Sequence, residues 1–262
     1  MEGESELLAC EEDYLVVAKP PHLLSHPTRP DGAPTLLGAL QARFPGEFLA
    51  LANRLDRETS GVVLVARTAE AASGLGALTM RREIAKEYLA IVDGRVETGQ
   101  GMIDAPLGRV GLSETNGIWV RQGVIPAGDP RPAAACRTEF WRKSATDRAT
   151  LLRLRAHTGR LHQLRAHLAH LGHPVLGDKI YGPDPALYLR FIEHGWTAEH
   201  EQRLPLRRHA LHAWRLAFPW QGGWREYTAP LPLDLATLAA KLGLALGEGI
   251  RRIGAEAGEN AP

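Results

Sequence analysis

The most apolar stretch of the chain, residues 62–66 (Val-Val-Leu-Val-Ala), directly follows a charged segment, residues 53–61 (Asn-Arg-Leu-Asp-Arg-Glu-Thr-Ser-Gly). A nearly unbroken apolar run of this kind is typical of a central strand that is covered on both faces of a sheet. A loop that leads into such a strand is held by a rigid element, which suits it to carry functional side chains. The sequence therefore predicts a buried strand from Gly61 to Arg67 with a candidate site at its entrance.

Segments with strand and helix patterns alternate on both sides of this strand. Further strands are predicted at residues 13–19, 86–92, 137–156, 211–218 and 224–228, and helices at residues 35–43, 69–83, 161–171 and 235–245. Residues 99–135 are rich in Gly and Pro, which predicts loops and short hairpin pieces, and residues 248–262 are predicted to be a frayed tail. The order of elements indicates an α+β fold on a mixed, largely antiparallel sheet flanked by helices and loops.

The bulk composition excludes several classes of protein. Of 262 residues 44% are hydrophobic, which favours a packed globular core, and no apolar run is long enough to span a bilayer. The first residues are acidic and polar rather than those of a secretory signal, so we expect a cytoplasmic protein. Only Cys10 and Cys136 are present, which argues against a disulfide framework or a thiolate zinc site. The net charge is only +1, so a nucleic-acid partner would have to be bound by local basic patches.

Three segments carry candidate chemistry. In the loop before the apolar strand, Arg54 and Asp56 are two residues apart and can project from the same side of an extended chain. For Asp56 alone, a turn or helix cap is the simpler interpretation. In the second segment, residues 86–92, alternation places Tyr88 on one face of a strand, where ordinary packing is the usual role of a tyrosine.

The third segment, residues 157–168, crowds arginines and polar donors at the start of a predicted helix, as in many phosphate and carboxylate sites. A solvated basic helix face is the alternative. The five histidines between residues 157 and 173 include no pair four residues apart, the spacing that places two imidazoles on one helical face. The sequence thus predicts no metal site, although a metal-dependent hydrolase using these histidines is a competing hypothesis.

Taken in order, these segments resemble the RluA-type family of RNA pseudouridine synthases. The family signature H-R-L-D-x-x-T-S/T-G is matched within residues 54–61, and its K-x-Y element is matched by Lys86 and Tyr88. The long run T-G-R-x-H-Q-I/L-R-x-H-L, followed by L-G-H-P-x-L-G-D, is matched from Thr158 to Asp178, and residues 211–213 match a last short motif. The resemblance covers residues 13–232.

The resemblance implies an isomerase that converts uridine in structured ribosomal or transfer RNA to pseudouridine after flipping the base out of the helix. It implies that Asp56 is the nucleophile, that Tyr88 stacks on the target base and that Arg165 is the basic partner of Asp56. A nearby guanidinium favours the ionised carboxylate that a nucleophile must be. The residues expected to contact RNA are Arg54, which would fill the gap left by the flipped base, Arg57, Arg160, His162 and Gln163. No cofactor and no obligate protein partner are expected, and the chain is predicted to act as a monomer.

Two positions depart from the family pattern, Asn53 in place of His and Leu161 in place of Thr or Ser. We expect one catalytic domain over residues 1–247, without a separate N-terminal S4-type RNA-binding domain. RNA recognition would then fall to the catalytic domain, through Arg153, Arg155 and Arg160 and a cluster formed by Arg203, Arg207 and Arg208, for which solvated surface charge is an equal alternative. A catalytically inactive RNA-binding or RNA-folding protein on the same fold is the main alternative, but such a protein would not need Asp56, Tyr88 and Arg165 together.

Overall fold

A computed structural model of the chain describes residues 5–27, 32–111, 117–247 and 249–250. The strands are, in chain order, β1 (Glu6–Cys10), β2 (Tyr14–Lys19), β3 (Ala50–Leu51), β4 (Ser60–Ala66), β5 (Ala85–Asp93), β6 (Gln100–Asp104), β7 (Leu107–Arg109), β8 (Gln122–Val124), β9 (Arg137–Ala145), β10 (Ala149–Ala156), β11 (Leu211–Trp220) and β12 (Gly223–Thr228). The helices are α1 (Leu36–Arg43), α2 (Ala69–Met80), α3 (Gln163–His170), α4 (Ala186–His194), α5 (Ala198–Arg203) and α6 (Leu233–Lys241). All but two residues of the predicted tail lie outside the described residues.

Ten strands form one continuous sheet in the order β1-β2-β4-β11-β5-β10-β9-β6, with β12 paired to β11 and β3 paired to β4. Among the described strands, every pairing is antiparallel except that of β4 with β11. A separate two-stranded hairpin joins β7 and β8. The predicted α+β fold with a mixed, largely antiparallel sheet is confirmed. None of the helices in the described part of the chain is long and apolar enough to cross a membrane.

Strand β4 is buried along its whole length, as its apolar sequence predicts. Val62 and Leu64 pack on one face against α2, and Val63 and Val65 pack on the other face against α1. Because successive side chains of a strand point to opposite faces, an all-apolar strand needs a helix on each side of the sheet. The two helices supply that cover.

Gly61 allows β4 to approach β11 closely at the start of their parallel pairing. Its φ is +120°, and a Cβ built at this position would lie 2.1 Å from the carbonyl oxygen of Ala213. Only glycine tolerates both the backbone angle and the contact. The Thr-Ser-Gly end of the charged loop is therefore the point where the loop is locked against β11.

The sequence missed four elements, did not divide residues 137–156 into the antiparallel strands β9 and β10, and misplaced the starts of α3 and α6. Strands β1 and β3 and helices α4 and α5 were not predicted; α4 follows a Pro-rich turn at residues 183–185 that resembles a simple loop in sequence. Helix α3 begins at Gln163 rather than at Leu161, because His162 adopts a left-handed conformation with φ +54° that the helix cannot include. Leu161 therefore lies outside the helix and is 48% exposed.

Candidate active site

A cleft of about 1430 Å³ opens where the loop before β4, the start of β5 and the turn between β10 and α3 meet. Its lining holds two acidic side chains, Asp56 and Asp104, and a much larger set of basic ones. The basic lining residues are Arg54, Arg57, Arg82, Lys86, Arg137, Arg155, Arg160 and Arg165. The chain as a whole is nearly neutral, so positive charge is concentrated at this cleft. Such a concentration favours a polyanionic ligand.

Asp56 and Arg165 meet at the base of the cleft although 109 residues separate them in sequence. Arg165 Nη1 donates to Asp56 Oδ2 at 3.0 Å, and the Asp56 side chain remains 26% exposed while that of Arg165 is only 6% exposed. The carboxylate is therefore within reach of a ligand, and the guanidinium behind it is not. This arrangement fits a partly exposed reactive acid that is paired with a fixed cation.

Asp178 holds Arg165 in place from the interior. Its two carboxylate oxygens accept from Nε at 2.6 Å and from Nη2 at 2.9 Å, and Oδ1 also accepts from the backbone N–H groups of Ile180 and Tyr181. Burial opposes the charged form of Asp178, but the charge and hydrogen bonds of Arg165 outweigh it and lower the pKa of this carboxyl well below its usual range. For Arg165, burial works against the cation, and Asp178 again outweighs it and raises the pKa.

Tyr181 and His162 complete the wall around Arg165. The Tyr181 ring lies 5.2 Å from the guanidinium carbon, and its hydroxyl accepts from the backbone N–H of Gln122 at 2.8 Å. The same hydroxyl lies 3.1 Å from His162 Nδ1. Burial and the neighbouring Arg165 charge lower the pKa of His162 to about 4, so its imidazole is neutral at neutral pH. Of Arg165 and His162, only Arg165 therefore carries a positive charge at neutral pH.

Tyr88 lies on β5, which is paired with β10 on one side and with β11 on the other. It is opposite Leu154 of β10 and Ala213 of β11, and its half-buried ring contacts two of the hydrophobic clusters. Burial, followed by the negative charge of Asp56, raises the pKa of the Tyr88 hydroxyl to about 12. Tyr88 lines the same cleft as Asp56, a position that the alternation of β5 alone did not predict.

Several internal hydrogen bonds fix the loop that carries Asp56. Ser25 Oγ donates to the carbonyl of Leu55 and accepts from its N–H, so the peptide groups before and after Leu55 are both held. Lys19, which is buried, donates to the carbonyl of Arg57 at 3.2 Å and to those of Pro20 and Leu23 at 2.8 Å. The loop is therefore rigid on both sides of Asp56, as pre-organisation of a reactive group requires.

The next residues of this loop are anchored to the segment that contains Asp178 and to the segment before β11. Glu58 Oε1 lies 2.8 Å from Lys179 Nζ, and Thr59 Oγ1 lies 2.7 Å from His209 Nε2. Asn53, at the other end of the loop, donates to the carbonyl of Val62 and accepts from the N–H of Leu64. Asn53 stands where the family pattern has His, and its side-chain amide ties the loop to β4.

The residues expected to bind RNA divide into two groups. Arg54, Arg57 and Arg160 are exposed at the cleft; Arg54 Nη1 lies 3.3 Å from His26 Nε2, and Arg57 donates to the carbonyl of His22. Gln163 is buried instead. Its side-chain oxygen accepts from the Thr158 hydroxyl and from the N–H of Arg160. Its side-chain nitrogen donates to the carbonyl of Arg137 and to the Thr138 hydroxyl. These bonds favour a role for Gln163 in shaping the 158–160 turn.

The proposed basic cluster of Arg203, Arg207 and Arg208 is not a free patch. Arg208 is 1% exposed and donates from Nε and Nη2 to both carboxylate oxygens of Asp234. Arg203 is paired with Asp184 and Glu199, and Arg207 with Glu201. The expectation that this cluster recognises RNA is wrong for Arg208, because a buried cation with a matched carboxylate has no donor left for a phosphate.

The histidines of the third segment are dispersed. In the described part of the chain, no group of three His, Cys, Asp or Glu side chains is placed to hold a metal ion. His167 is buried between Thr138 Oγ1 and the carbonyl of Ala105, and His173 lies against the carbonyl of Asp93. These side chains have structural partners, which argues against the hydrolase hypothesis.

Sequence reasoning missed Asp178 and Tyr181 as parts of the site. Asp178 ends the longest motif match, but its sequence context does not indicate that it grips Arg165. Tyr181, three residues further on, has no distinguishing pattern. Arg82 and Arg137 were also missed among the basic residues of the cleft; each is separated in sequence from the motifs and reaches the cleft only through the fold.

The fold and the site together place a partly exposed carboxylate at the base of a basic cleft, an arrangement that suits an enzyme acting on a polyanion. Residues 13–170 match the family model described as RNA pseudouridylate synthase. The chain is 36% identical over 238 residues to the ribosomal large subunit pseudouridine synthase D of Nitrosomonas europaea, an alignment that covers 87% of this chain and 62% of that protein. A protein of the same name from Pasteurella multocida is 35% identical, with coverages of 88% and 69%.

Two human structures are also similar. RNA pseudouridylate synthase domain containing 1 is 27% identical with a TM-score of 0.68, over 88% of this chain and 84% of that one. Domain containing 4 shares the fold at 23% identity, with a TM-score of 0.73 over 92% and 94% of the two chains. The chain belongs to the RNA pseudouridylate synthase family. It spans less than two thirds of the length of the Nitrosomonas relative.

Proposed function

We propose that the chain isomerises uridine to pseudouridine in RNA, with Asp56 as the nucleophile. The observation that carries this proposal is the 3.0 Å contact between exposed Asp56 and buried Arg165 in a basic cleft. The reaction breaks the bond between the sugar C1′ and uracil N1, turns the base and joins C1′ to C5. The proton leaves C5 and N1 gains one, so atoms and electrons balance without an oxidant or reductant.

Each predicted residue has a defined task in this proposal. Asp56 supplies the nucleophilic carboxylate, and the hydrogen bond from Arg165 holds it at the cleft. Tyr88 offers its ring as a stacking surface for the flipped uracil. Arg54, exposed at the rim, fills the space that the uridine leaves in the RNA, while Arg57 and Arg160 contact the phosphate backbone. His162 borders the base-binding space as a neutral imidazole.

We further propose that the substrate is ribosomal RNA. The support is that the bacterial relatives named above are called large-subunit synthases, and that the relevant charge lies in the cleft. We propose that residues 13–232, which share one continuous sheet, act as a single catalytic unit in the cytoplasm, as a monomer and without an obligate protein partner.

Pseudouridine mapping of ribosomal and transfer RNA, from cells with and without the gene, tests the proposal. At least one uridine in ribosomal RNA is expected to lose its modification in the deletion strain and to regain it when the wild-type gene is restored. Restoration by the wild type but not by Asp56→Asn ties the loss to the site. An unchanged map in both RNA classes would contradict the proposed function, and a loss confined to transfer RNA would overturn the ribosomal substrate alone.

A further inference from the structure

Lys86 is the one cation in the described cleft lining that is partly buried without an opposing charge. Six of the eight basic residues there are exposed, and Arg165 is buried against two carboxylates. Lys86 is half-buried, and no hydrogen bond or ion pair of its ammonium is found among the described residues. Its neighbour Glu87 projects to the other face, where Arg215 lies 3.4 Å away.

A lysine in this position costs free energy in the absence of a ligand. Taking an ammonium out of water without a counter-ion disfavours its charged form. Burial accordingly lowers the pKa of Lys86, and no neighbouring carboxylate restores it. An anion brought into the cleft would supply the missing partner, because it would form a charge-assisted hydrogen bond with a partly desolvated ammonium.

The distance between Lys86 and Tyr88 on β5 indicates which anion Lys86 could bind. Lys86 and Tyr88 are two residues apart on β5 and line the same cleft, so their Cα atoms are separated by about 6.8 Å along the strand. In a nucleotide, only the sugar separates the base from its phosphates. A base stacked on Tyr88 therefore brings its own backbone phosphate into the range of a long, flexible lysine side chain.

We propose that Lys86 binds the RNA backbone phosphate adjacent to the flipped uridine. This inference rests on the proposed function, because it places the target base on Tyr88. A phosphate is favoured over a uracil carbonyl because it carries a full negative charge, which matches the uncompensated ammonium. The contact would form only when the uridine has entered the cleft, so that Lys86 acts as a binding residue for the flipped state.

Salt-dependent binding tests the assignment. The probe is large-subunit ribosomal RNA transcribed in vitro, and affinities are measured over a range of KCl concentrations in the Asp56→Asn background, where turnover cannot interfere. Each neutralised phosphate adds about 0.7–0.9 to the slope of log K against log salt. Lys86→Met is expected to bind more weakly at low salt with a slope shallower by about that amount, and Lys86→Arg to keep the slope.

Lys143→Met is the matched control, since Lys143 is an exposed strand lysine that does not line the cleft. It is expected to leave affinity and slope unchanged. A Lys86→Met line parallel to the parent line but displaced to weaker affinity would overturn the phosphate in favour of a neutral acceptor. An unchanged line would overturn the contact altogether. Thermal unfolding of Lys86→Met checks the fold, and its Tm is expected not to fall because a desolvated unpaired charge has been removed.

The test is independent of catalysis. A shallower slope with a wild-type protein that forms no pseudouridine would leave the phosphate contact standing and remove the proposed function. Pseudouridine formation by the wild type, combined with an unchanged slope for Lys86→Met, would support the proposed function and remove the phosphate contact.

Discussion

Asp178 grips Arg165 with both carboxylate oxygens, at 2.6 Å to Nε and 2.9 Å to Nη2, and thereby leaves Nη1 as the group that reaches Asp56. A guanidinium is a planar fork, so fixing two of its nitrogens fixes the direction of the third. The position of the reactive carboxylate is thus coupled to a residue that is itself fully buried.

Asp178→Asn should therefore damage both stability and catalysis. It leaves the buried Arg165 without its matched charge, a change that typically lowers the free energy of unfolding by about 3–5 kcal/mol. We expect a loss of this size in urea unfolding, together with a fall in kcat of at least tenfold in the folded fraction. Asp184→Asn is the control, because Asp184 pairs with Arg190 and Arg203 near the surface and should cost no more than about 1 kcal/mol. Equal losses in both variants would contradict the coupling.

Tyr88 should contribute to RNA affinity through its ring rather than its hydroxyl. Stacking of a base on an aromatic side chain is worth about 1–3 kcal/mol, so Tyr88→Ala should weaken binding by roughly 5- to 150-fold. Tyr88→Phe keeps the ring and should bind within about twofold of the parent. Both affinities are measured with ribosomal RNA transcripts in the Asp56→Asn background. A Phe variant as weak as the Ala variant would exclude stacking as the source of affinity.

His212 should make stability depend on pH below neutrality. Burial and the charge of Arg208 lower the pKa of His212 to about 4, against an ordinary value near 6.5. Between these values the unfolded chain binds the proton and the folded chain does not, so acid favours unfolding. Stability should be intact above pH 6.5 and fall toward pH 4, with His212 contributing up to about 1.4 kcal/mol per pH unit.

Urea unfolding across that pH range, with the wild type and two variants, measures the effect. His212→Gln also loses the contacts of His212 with Ser60 and Ala229, so its overall stability is lower, and its pH slope should be flatter by one proton. His170→Gln alters an exposed histidine and should leave the slope as it is. A His212→Gln slope equal to that of the wild type would show that His212 is not the group that titrates.

Gly61→Ala should prevent correct docking of β4 on β11. The added methyl group would lie 2.1 Å from a backbone oxygen and would require a φ of +120° that alanine rarely adopts. We expect loss of soluble protein or a fall in stability above about 4 kcal/mol. Gly76→Ala in α2 meets no atom within 4 Å and should instead stabilise by about 0.5–1 kcal/mol. Thermal unfolding of the two variants decides this, and a stable Gly61→Ala would refute the steric argument.

The sequence predicts the central part of this fold well because the pattern there is local. The all-apolar strand before Arg67 could only be buried on two faces, and the alternation of Leu152 to Arg155 assigned one face of β10 to the core. Strand β3, with two residues, is too short to leave a periodic pattern. Helix α3 started late because one residue, His162, adopts a left-handed backbone that composition does not reveal.

The sequence predicted several residues of the site, but it did not predict which of them contact one another. The motifs identify Asp56 and Arg165, but only the sheet order shows how residues 109 apart in sequence come within 3.0 Å. Gln163 illustrates the limit, since a motif match does not distinguish a side chain that faces RNA from one that supports the adjacent turn. Arg208 is the clearest case: an apparent surface cation proves to be buried against Asp234.

We infer that the Asp56 carboxylate performs the reaction, and a single-turnover assay of Asp56→Asn is the sharpest test of that role. Pseudouridine formed in a large-subunit ribosomal RNA transcript is measured beside RNA affinity, with Asp104→Asn as the control from the same cleft. We expect no detectable product from Asp56→Asn, an RNA affinity within about tenfold of the wild type, and most of the activity retained by Asp104→Asn. Pseudouridine formation by Asp56→Asn at a rate near that of the wild type would show that the Asp56 carboxylate does not perform the reaction.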